Sequence, residues 1–153
     1  MGTTGLAIAD AHPGSKGEAV ARVSKSAGVN KSPREVLPVW CRAKTEKPFH
    51  TTSSSPLYAQ GEITECGEPA PDLCKLDVAL EGRAPGAGSW HVYADKSTGW
   101  TTCRAGLKKS AGYKCIHIIA RQEFRTHIYL SIQYHGRSNV AQAESATHTE
   151  YCE

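Results

Sequence analysis

Residues 124–135 read FRTHIYLSIQYH and decide the fold class of this chain. Side chains that suit a protein core fall at every second position, and polar or aromatic side chains fill the positions between them. The first set is Phe124, Thr126, Ile128, Leu130, Ile132 and Tyr134. The second set is Arg125, His127, Tyr129, Ser131, Gln133 and His135. A period of two with one apolar side predicts a long antiparallel strand that buries one face.

Similar alternation, broken by turn residues, predicts further strands on both sides of this stretch. Residues 73–81 place Cys74, Leu76, Val78 and Leu80 on one face, and Trp90, Val92 and Ala94 continue that apolar side. An earlier strand at residues 57–66 ends in the proline-rich turn 67–71. The remaining elements are predicted strands at 100–103, 113–120 and 144–152, and a turn at 136–139. About seven short strands predict an all-β, immunoglobulin-like antiparallel sandwich.

Six cysteines lie between Cys41 and Cys152, and none forms a CxxC pair. An even set without zinc-ligand spacing predicts three disulfides and a secreted, extracellular protein. Proximity along the chain favours the pairs Cys66–Cys74 and Cys103–Cys115, which leaves Cys41–Cys152 to tie the start of the domain to its end. The sequence alone still allows about 15 different pairings.

Composition indicates one small domain with a modest core. Hydrophobic residues make up 39% of the 153 residues, and no stretch approaches the roughly 18 apolar residues of a membrane-spanning helix. The net charge of +3 comes from residues 1–50, where eight Lys and Arg face four Asp and Glu. These charges form no run and have no aromatic neighbours before Trp40, so neither nucleic-acid binding nor membrane insertion is expected.

Residues 1–38 are predicted to form a flexible basic arm, and residues 39–153 the disulfide-stabilised domain. Residues 12–38 are rich in Gly, Ser, Ala and Lys and show neither strand alternation nor a helical stripe. Such a segment is disordered alone and can order on a partner. Residues 1–11 end in Ala-Asp-Ala, which indicates either a trimmed export signal or an ordinary disordered terminus. We expect deletion of residues 1–38 to abolish partner binding and to leave thermal unfolding almost unchanged.

One motif of the arm has the composition of a partner-binding segment: Ser32, Pro33, Arg34, Glu35, Val36 and Leu37. Pro33 and Pro38 favour an extended conformation, which lowers the cost of ordering the segment in a groove. An extended strand centred on Arg34 has the shape that a trypsin-like cleft accepts. The alternative is a protease-sensitive linker without a partner.

The sequence predicts no catalytic residue, no cofactor and no metal site. It contains no GxSxG, HExxH or GDSGG-like motif. On one extended strand His127 and His135 would lie about 26 Å apart, too far to share a metal ion. His91 and His117 have no acidic residue at a spacing that compels a ligand set. The histidines are therefore interpreted as parts of a solvated polar sheet face.

The polar side of the long strand is a second candidate binding surface. It presents Arg125, His127, Tyr129 and Gln133, which combine hydrogen-bonding groups with aromatic area. Simple outward alternation of a half-buried strand explains the same composition. The strand pattern alone leaves both interpretations open.

One cysteine pattern resembles small secreted β-domain proteins of actinobacteria: Cys66…Cys74-x-Leu76…Trp90…Cys103…Tyr113-x-Cys115. Within that set, a basic arm before a disulfide-stapled sandwich is similar to the adaptor subunits of streptomycete umbrella toxin particles. The resemblance implies an adaptor without catalysis, which joins a lectin subunit carrying a degenerate trypsin-like domain to a large repeat-containing toxin subunit. It also implies that the arm around residues 33–37 enters the trypsin-like cleft and that the folded domain holds the toxin subunit.

The expected function is therefore protein–protein attachment within a secreted, extracellular complex. Two other classes remain open. One is a protease inhibitor that uses Arg34 as its specificity residue. The other is a small lectin or hydrolase that uses the polar face around His127.

Overall fold

The computed structural model of the chain describes residues 17–24, 38–115 and 120–152. These residues form nine β-strands and no helix. The strands are β1 (Glu18–Ser24), β2 (Pro38–His50), β3 (Leu57–Cys66), β4 (Leu73–Arg83), β5 (His91–Ser97), β6 (Lys108–Tyr113), β7 (Arg121–Tyr134), β8 (Arg137–Glu144) and β9 (His148–Tyr151). The predicted all-β class is confirmed, with nine strands in place of about seven.

The strands form two antiparallel sheets that pack against each other as a sandwich. The first sheet has the strand order β1-β2-β3-β6, and the second has the order β5-β4-β7-β8. β9 also belongs to the second sheet, because it pairs with the first residues of β7. The long strand β7 therefore lies inside its sheet, with β4 on one side and both β8 and β9 on the other.

The core lies between the two sheets and is built from alternate residues of the strands. The inward set predicted for residues 124–134 is confirmed, with Phe124 and Ile128 fully buried. The ring of Phe124 lies 5.5 Å from that of Tyr93, which in turn lies 5.0 Å from that of Tyr113, both edge to face. Because Tyr113 ends β6, this aromatic row joins the second sheet to the first.

Residues 18–24 belong to the folded domain, which corrects the arm predicted for residues 1–38. β1 pairs with β2 from Glu18–Lys44 to Ser24–Pro38, and it buries Ala19, Ala21 and Val23. Two of these three inward residues are alanines, so the strand gives a weak hydrophobic signal in the sequence. Deletion of residues 1–38 therefore removes core side chains, and we now expect it to destabilise the domain. The rest of the predicted arm lies outside the described residues.

The chain reverses between β7 and β8 at His135-Gly136 rather than at residues 136–139. Both residues have positive φ angles, 48° and 79°, which is the geometry of a two-residue type I′ hairpin turn. Residues 137–144 consequently form β8.

Strand β6, at residues 108–113, was not predicted, and it forms by edge pairing with β3. Three predicted strands also differ from the structure. Of the predicted strand 100–103, only a bridge between Cys74 and Thr101 is present. The predicted strand 144–152 is shorter and begins at His148, and residues 116–119 of the predicted strand 113–120 lie outside the described residues.

All six cysteines form disulfides, but the three predicted pairs are wrong. The bonds are Cys41–Cys66, Cys74–Cys103 and Cys115–Cys152. Cys66 ends a strand of the first sheet and Cys74 begins a strand of the second, whereas Cys41 lies directly opposite Cys66 on the neighbouring strand. Disulfide formation requires facing Cβ atoms, and for Cys41 and Cys66 strand pairing supplies them.

Candidate functional site

The outward surface of the second sheet carries a connected group of charged and aromatic side chains. They come from β4, β7 and β8, and from Trp90 just before β5. Directly paired residues of antiparallel strands share a face, and the pairs Glu81–Arg125 and Tyr129–Gln142 belong to this surface. We call the group the outer-face network: Glu81, Arg83, Trp90, Glu123, Arg125, His127, Tyr129, Gln142 and Glu144.

His127 lies at the centre of the outer-face network and is only 6% exposed. Its Nδ1 lies 3.0 Å from Glu81 Oε2, and its Nε2 lies 2.8 Å from Gln142 Oε1 and 3.6 Å from Glu144 Oε2. The interpretation of His127 as a solvated residue is therefore wrong. Because β7 lies between β4 and β8, side chains on both neighbouring strands cover the imidazole.

Glu81 holds two cationic side chains together. Its Oε1 accepts a hydrogen bond of 2.7 Å from Arg125 Nε, while its Oε2 faces His127. Burial alone would raise the pKa of Glu81, but hydrogen bonds from His127 and Arg125 lower that pKa below its ordinary value. Burial alone would lower the pKa of His127, but its hydrogen bonds with Glu81 and Gln142 raise that pKa. The structure thus favours a carboxylate paired with an imidazolium.

Two guanidinium groups lie over the ring of Trp90. The central carbon of Arg125 is 4.2 Å from the ring centroid, and that of Arg83 is 4.4 Å from it. Arg83 Nε also donates a hydrogen bond of 2.9 Å to Glu123. Each arginine therefore has both a carboxylate and an aromatic partner, which restricts its rotamers.

Exposed side chains complete this surface. Tyr129 stacks on His127 with ring centroids 4.6 Å apart, yet it remains 38% exposed. Val92 is 57% exposed and pairs with Glu81, and Val140 is 44% exposed and pairs with Ser131. The surface therefore combines fixed charged groups with apolar contact area.

Val92 was expected on the apolar inward side, together with Trp90 and Ala94. A β-bulge shifts the register between Leu80 and Glu81, so Val92 pairs with the outward residue Glu81 instead of continuing the inward set. A bulge of one residue exchanges the two faces of a strand. The inward place is taken by Tyr93, which packs against Phe124.

Three of the four polar-face residues singled out in the sequence meet in the network, namely Arg125, His127 and Tyr129. Gln133 does not join them, because it pairs with Leu73 near the other end of β7. Strand alternation marks Glu81 as outward but gives no sign that it pairs with His127, 46 residues away. Trp90 was expected on the apolar inward side, but its ring contacts Arg83 and Arg125 of the outer-face network, so this expectation is wrong.

The predicted partner-binding segment, residues 32–37, lies outside the described residues. The structure describes both of its flanks. Ser24 of β1 and Pro38 of β2 flank residues 25–37 and pair with each other. The disulfide Cys41–Cys66 lies three residues beyond Pro38. The chain on either side of the segment is therefore held together by strand pairing.

A second histidine–carboxylate group, which we call the end cluster, consists of His50, His148 and Glu150. The Nε2 atoms of both histidines lie 2.8 Å from the same oxygen, Glu150 Oε1. His148 and Glu150 are on β9, whereas His50 ends β2, so the end cluster joins the two sheets. The hydrogen bond with Glu150 raises the pKa of His50. Burial alone would raise the pKa of Glu150, but hydrogen bonds from His148 and His50 lower it.

Among the described residues, no histidine is hydrogen-bonded to a serine, threonine or cysteine side chain. Over the same part of the chain, there is no helix of the length and apolarity that a membrane span requires. The chain matches no known family model, and no curated protein or solved structure shows significant similarity to it.

Proposed function

We propose that the protein is a secreted adaptor without catalytic activity, which binds other proteins through the outer face of its second sheet. The observation that supports this proposal best is the outer-face network with its exposed neighbours. Trp, Tyr and Arg dominate the binding energy of many protein interfaces. Here Trp90, Arg125 and Tyr129 are already held by partners within the same surface, so binding would immobilise few additional rotamers.

The charge of this surface also favours a protein partner. The carboxylates of Glu81, Glu123 and Glu144 are matched by two arginines and by His127. A balanced surface lacks the excess positive charge that nucleic acids require. Val92 and Val140, on either side of the network, add exposed apolar area that a protein partner can bury.

An adaptor needs a second contact, and residues 32–37 are our candidate for it. Their prolines and central Arg34 suit an extended segment in a trypsin-like cleft. By resemblance, the partners are a lectin subunit with a trypsin-like domain and a large repeat-containing toxin subunit. Three disulfides support an extracellular location, where such bonds persist.

A matched pair of tyrosine variants tests the sheet contact. Tyr129→Ser alters the outward face of the second sheet, and Tyr58→Ser alters the outward face of the first, where Tyr58 pairs with Gly112. Each variant is used to capture proteins from the culture supernatant of the native host, with quantification by mass spectrometry. We expect Tyr129→Ser to lose a large co-secreted subunit that Tyr58→Ser retains. Equal recovery by both variants would show that the outer face is not the contact surface.

Replacement of residues 32–37 by a Gly/Ser stretch of equal length tests the second contact. This change leaves β1 and its buried residues intact, unlike deletion of residues 1–38. We expect the replacement to lose one partner and to keep the partner that depends on Tyr129. Retention of both partners would exclude this segment as a contact.

Protease inhibition through Arg34 is a second candidate function, and one observation favours it. Inhibitory loops act best when both ends are held, and Ser24 and Pro38 are paired beside the Cys41–Cys66 disulfide. Titration of trypsin with the intact protein separates the two functions. Stoichiometric inhibition that Arg34→Ala abolishes would establish an inhibitor, whereas rapid cleavage at Arg34 would exclude it.

A further inference from the structure

We propose that the end cluster binds one zinc ion, with His50, His148 and Glu150 as its ligands. The ion would connect the two sheets at the end of the sandwich where β2 stops and β9 runs. This proposal is independent of the adaptor function, since the end cluster shares no residue with the outer-face network.

The geometry of the three side chains is the first argument. One ligating atom from each residue lies within 4.8 Å of the other two. Two nitrogens bound tetrahedrally to zinc lie about 3.4 Å apart, so small side-chain rotations bring these atoms to ligand distance. All three side chains are partly exposed, between 21% and 30%, and a metal ion can therefore reach them from solvent.

The orientation of His50 is the second argument. Its Nδ1 lies 2.9 Å from the backbone carbonyl oxygen of Ser55, which can only accept a hydrogen bond. When the ring is neutral, its single proton therefore sits on Nδ1, which leaves the lone pair of Nε2 for a metal ion. Metal-binding histidines are commonly fixed in this way by a carbonyl on the other nitrogen. The Ser55 turn is itself held, since its hydroxyl accepts hydrogen bonds from the backbone amides of Thr51 and Thr52.

The convergence of ligand atoms is the third argument. His50 Nε2 and His148 Nε2 both lie 2.8 Å from the same oxygen, Glu150 Oε1. Without a metal ion, each nitrogen donates a proton to this oxygen, which can accept two hydrogen bonds. A single metal ion satisfies both nitrogens and the carboxylate together, and it displaces their protons when it binds.

Strand pairing and a disulfide hold two of the ligands in place. His148 and Glu150 are two residues apart on β9 and therefore point to the same side. They pair with Phe124 and Gln122 of β7, on the side that faces the first sheet. The Cys115–Cys152 disulfide anchors Cys152, the residue that directly follows β9. Its sulfurs are oxidised and are not available as ligands, so the ligand set is two nitrogens and one carboxylate, which suits zinc with water in the fourth position.

The test uses the untagged full-length protein, stripped of metal with a chelator and titrated with zinc chloride in a calorimeter. We expect one site per chain and a higher melting temperature with zinc. His148→Ala and Glu150→Gln should each weaken zinc affinity at least about tenfold. The matched control is His91→Ala, which removes an exposed histidine of β5 and should leave affinity unchanged.

Cobalt(II) gives a second readout that does not depend on the stability of the variants. Tetrahedral coordination by nitrogen and oxygen should produce intense visible absorption in the wild-type protein, and zinc should displace it. Absence of stoichiometric zinc binding would overturn the proposal. So would binding that His148→Ala and Glu150→Gln both retain, or that His91→Ala weakens equally, because adventitious surface coordination would explain either result.

Discussion

His127 with Glu81 and His50 with Glu150 are both histidine–carboxylate pairs, yet their surroundings differ. The two nitrogens of His127 face separate acceptors, Glu81 and Gln142, and Arg125 occupies the other oxygen of Glu81. In the end cluster, two histidines approach one oxygen of Glu150. Distributed hydrogen bonds satisfy each polar atom once and favour a fixed protein surface. Convergent bonds bring several ligating atoms to one point and favour an ion.

The two groups also differ in what positions them. The outer-face network lies on neighbouring strands of a single sheet. The backbone hydrogen bonds between these strands set the spacing of its side chains. The end cluster combines residues of both sheets and depends on how the sheets pack. Its nearest covalent link between the sheets is Cys115–Cys152.

Removal of this disulfide should have the largest effect and should separate the two groups. The double variant Cys115→Ser/Cys152→Ser opens a link between residues 37 positions apart, which is expected to cost about 4 kcal/mol of unfolding free energy. Urea denaturation measures the loss. Hydrogen exchange should quicken more in β9 than in the centre of β7, because β9 is short and ends beside the lost bond. Equal acceleration in both strands would contradict this contrast.

Removal of one carboxylate charge from each group should have unequal effects. Glu81→Gln removes the carboxylate that Arg125 and His127 share in a largely buried site, and we expect it to cost about 1–3 kcal/mol. Glu150→Gln changes a more exposed site, and without metal it should cost less than about 1 kcal/mol. Chemical denaturation of both variants at pH 6 in chelator gives the comparison. A larger loss of unfolding free energy for Glu150→Gln than for Glu81→Gln would contradict this difference between the two groups.

The pH dependence of stability should reveal the Glu81–His127 pair. The raised pKa of His127 stabilises the fold below the ordinary value of 6.5, and this contribution is lost as pH rises through the raised pKa. The lowered pKa of Glu81 stabilises the fold above the ordinary value of 4.5, and this contribution is lost as pH falls through the lowered pKa. The stability difference between the wild type and His127→Gln should therefore be greatest between pH 4.5 and 6.5.

The control for this pH profile is His91→Gln, which replaces an exposed histidine of the neighbouring β5. It should change unfolding free energy little across the same range. A difference for His127→Gln that stays constant from about pH 4 to about pH 9 would show that charge pairing does not stabilise the network.

The smallest expected effect concerns the tryptophan rings. Trp90→Leu removes the aromatic partner of two arginines and should cost about 1 kcal/mol. Trp100→Leu is the matched change, because a single cation, Lys75, lies near its ring among the described residues, at 5.2 Å, and Trp100 is 44% exposed. It should cost about half as much. Equal losses, measured by urea denaturation, would show that the arginines do not contribute to the stability of the surface.

Strand alternation predicted the sandwich and the inward set of β7 because side chains of a strand point alternately to its two faces. It failed at β1, where two alanines give almost no signal, and at Val92, where a bulge exchanges the faces. The disulfide pairs predicted from proximity along the chain are wrong because the residues after Cys66 cross from one sheet to the other. Arg125, His127 and Tyr129 were recognisable as one polar face, while their partner Glu81 was not.

The amino-acid sequence by itself determined an all-β chain with every cysteine oxidised, since both properties follow from local periodicity and from the number of cysteines. Only the tertiary structure decided which cysteines pair, which carboxylate meets His127, and that His50 meets His148 across 98 residues. The physical reason is that a strand sets the direction of its own side chains, whereas contacts between strands depend on register, bulges and the packing of two sheets.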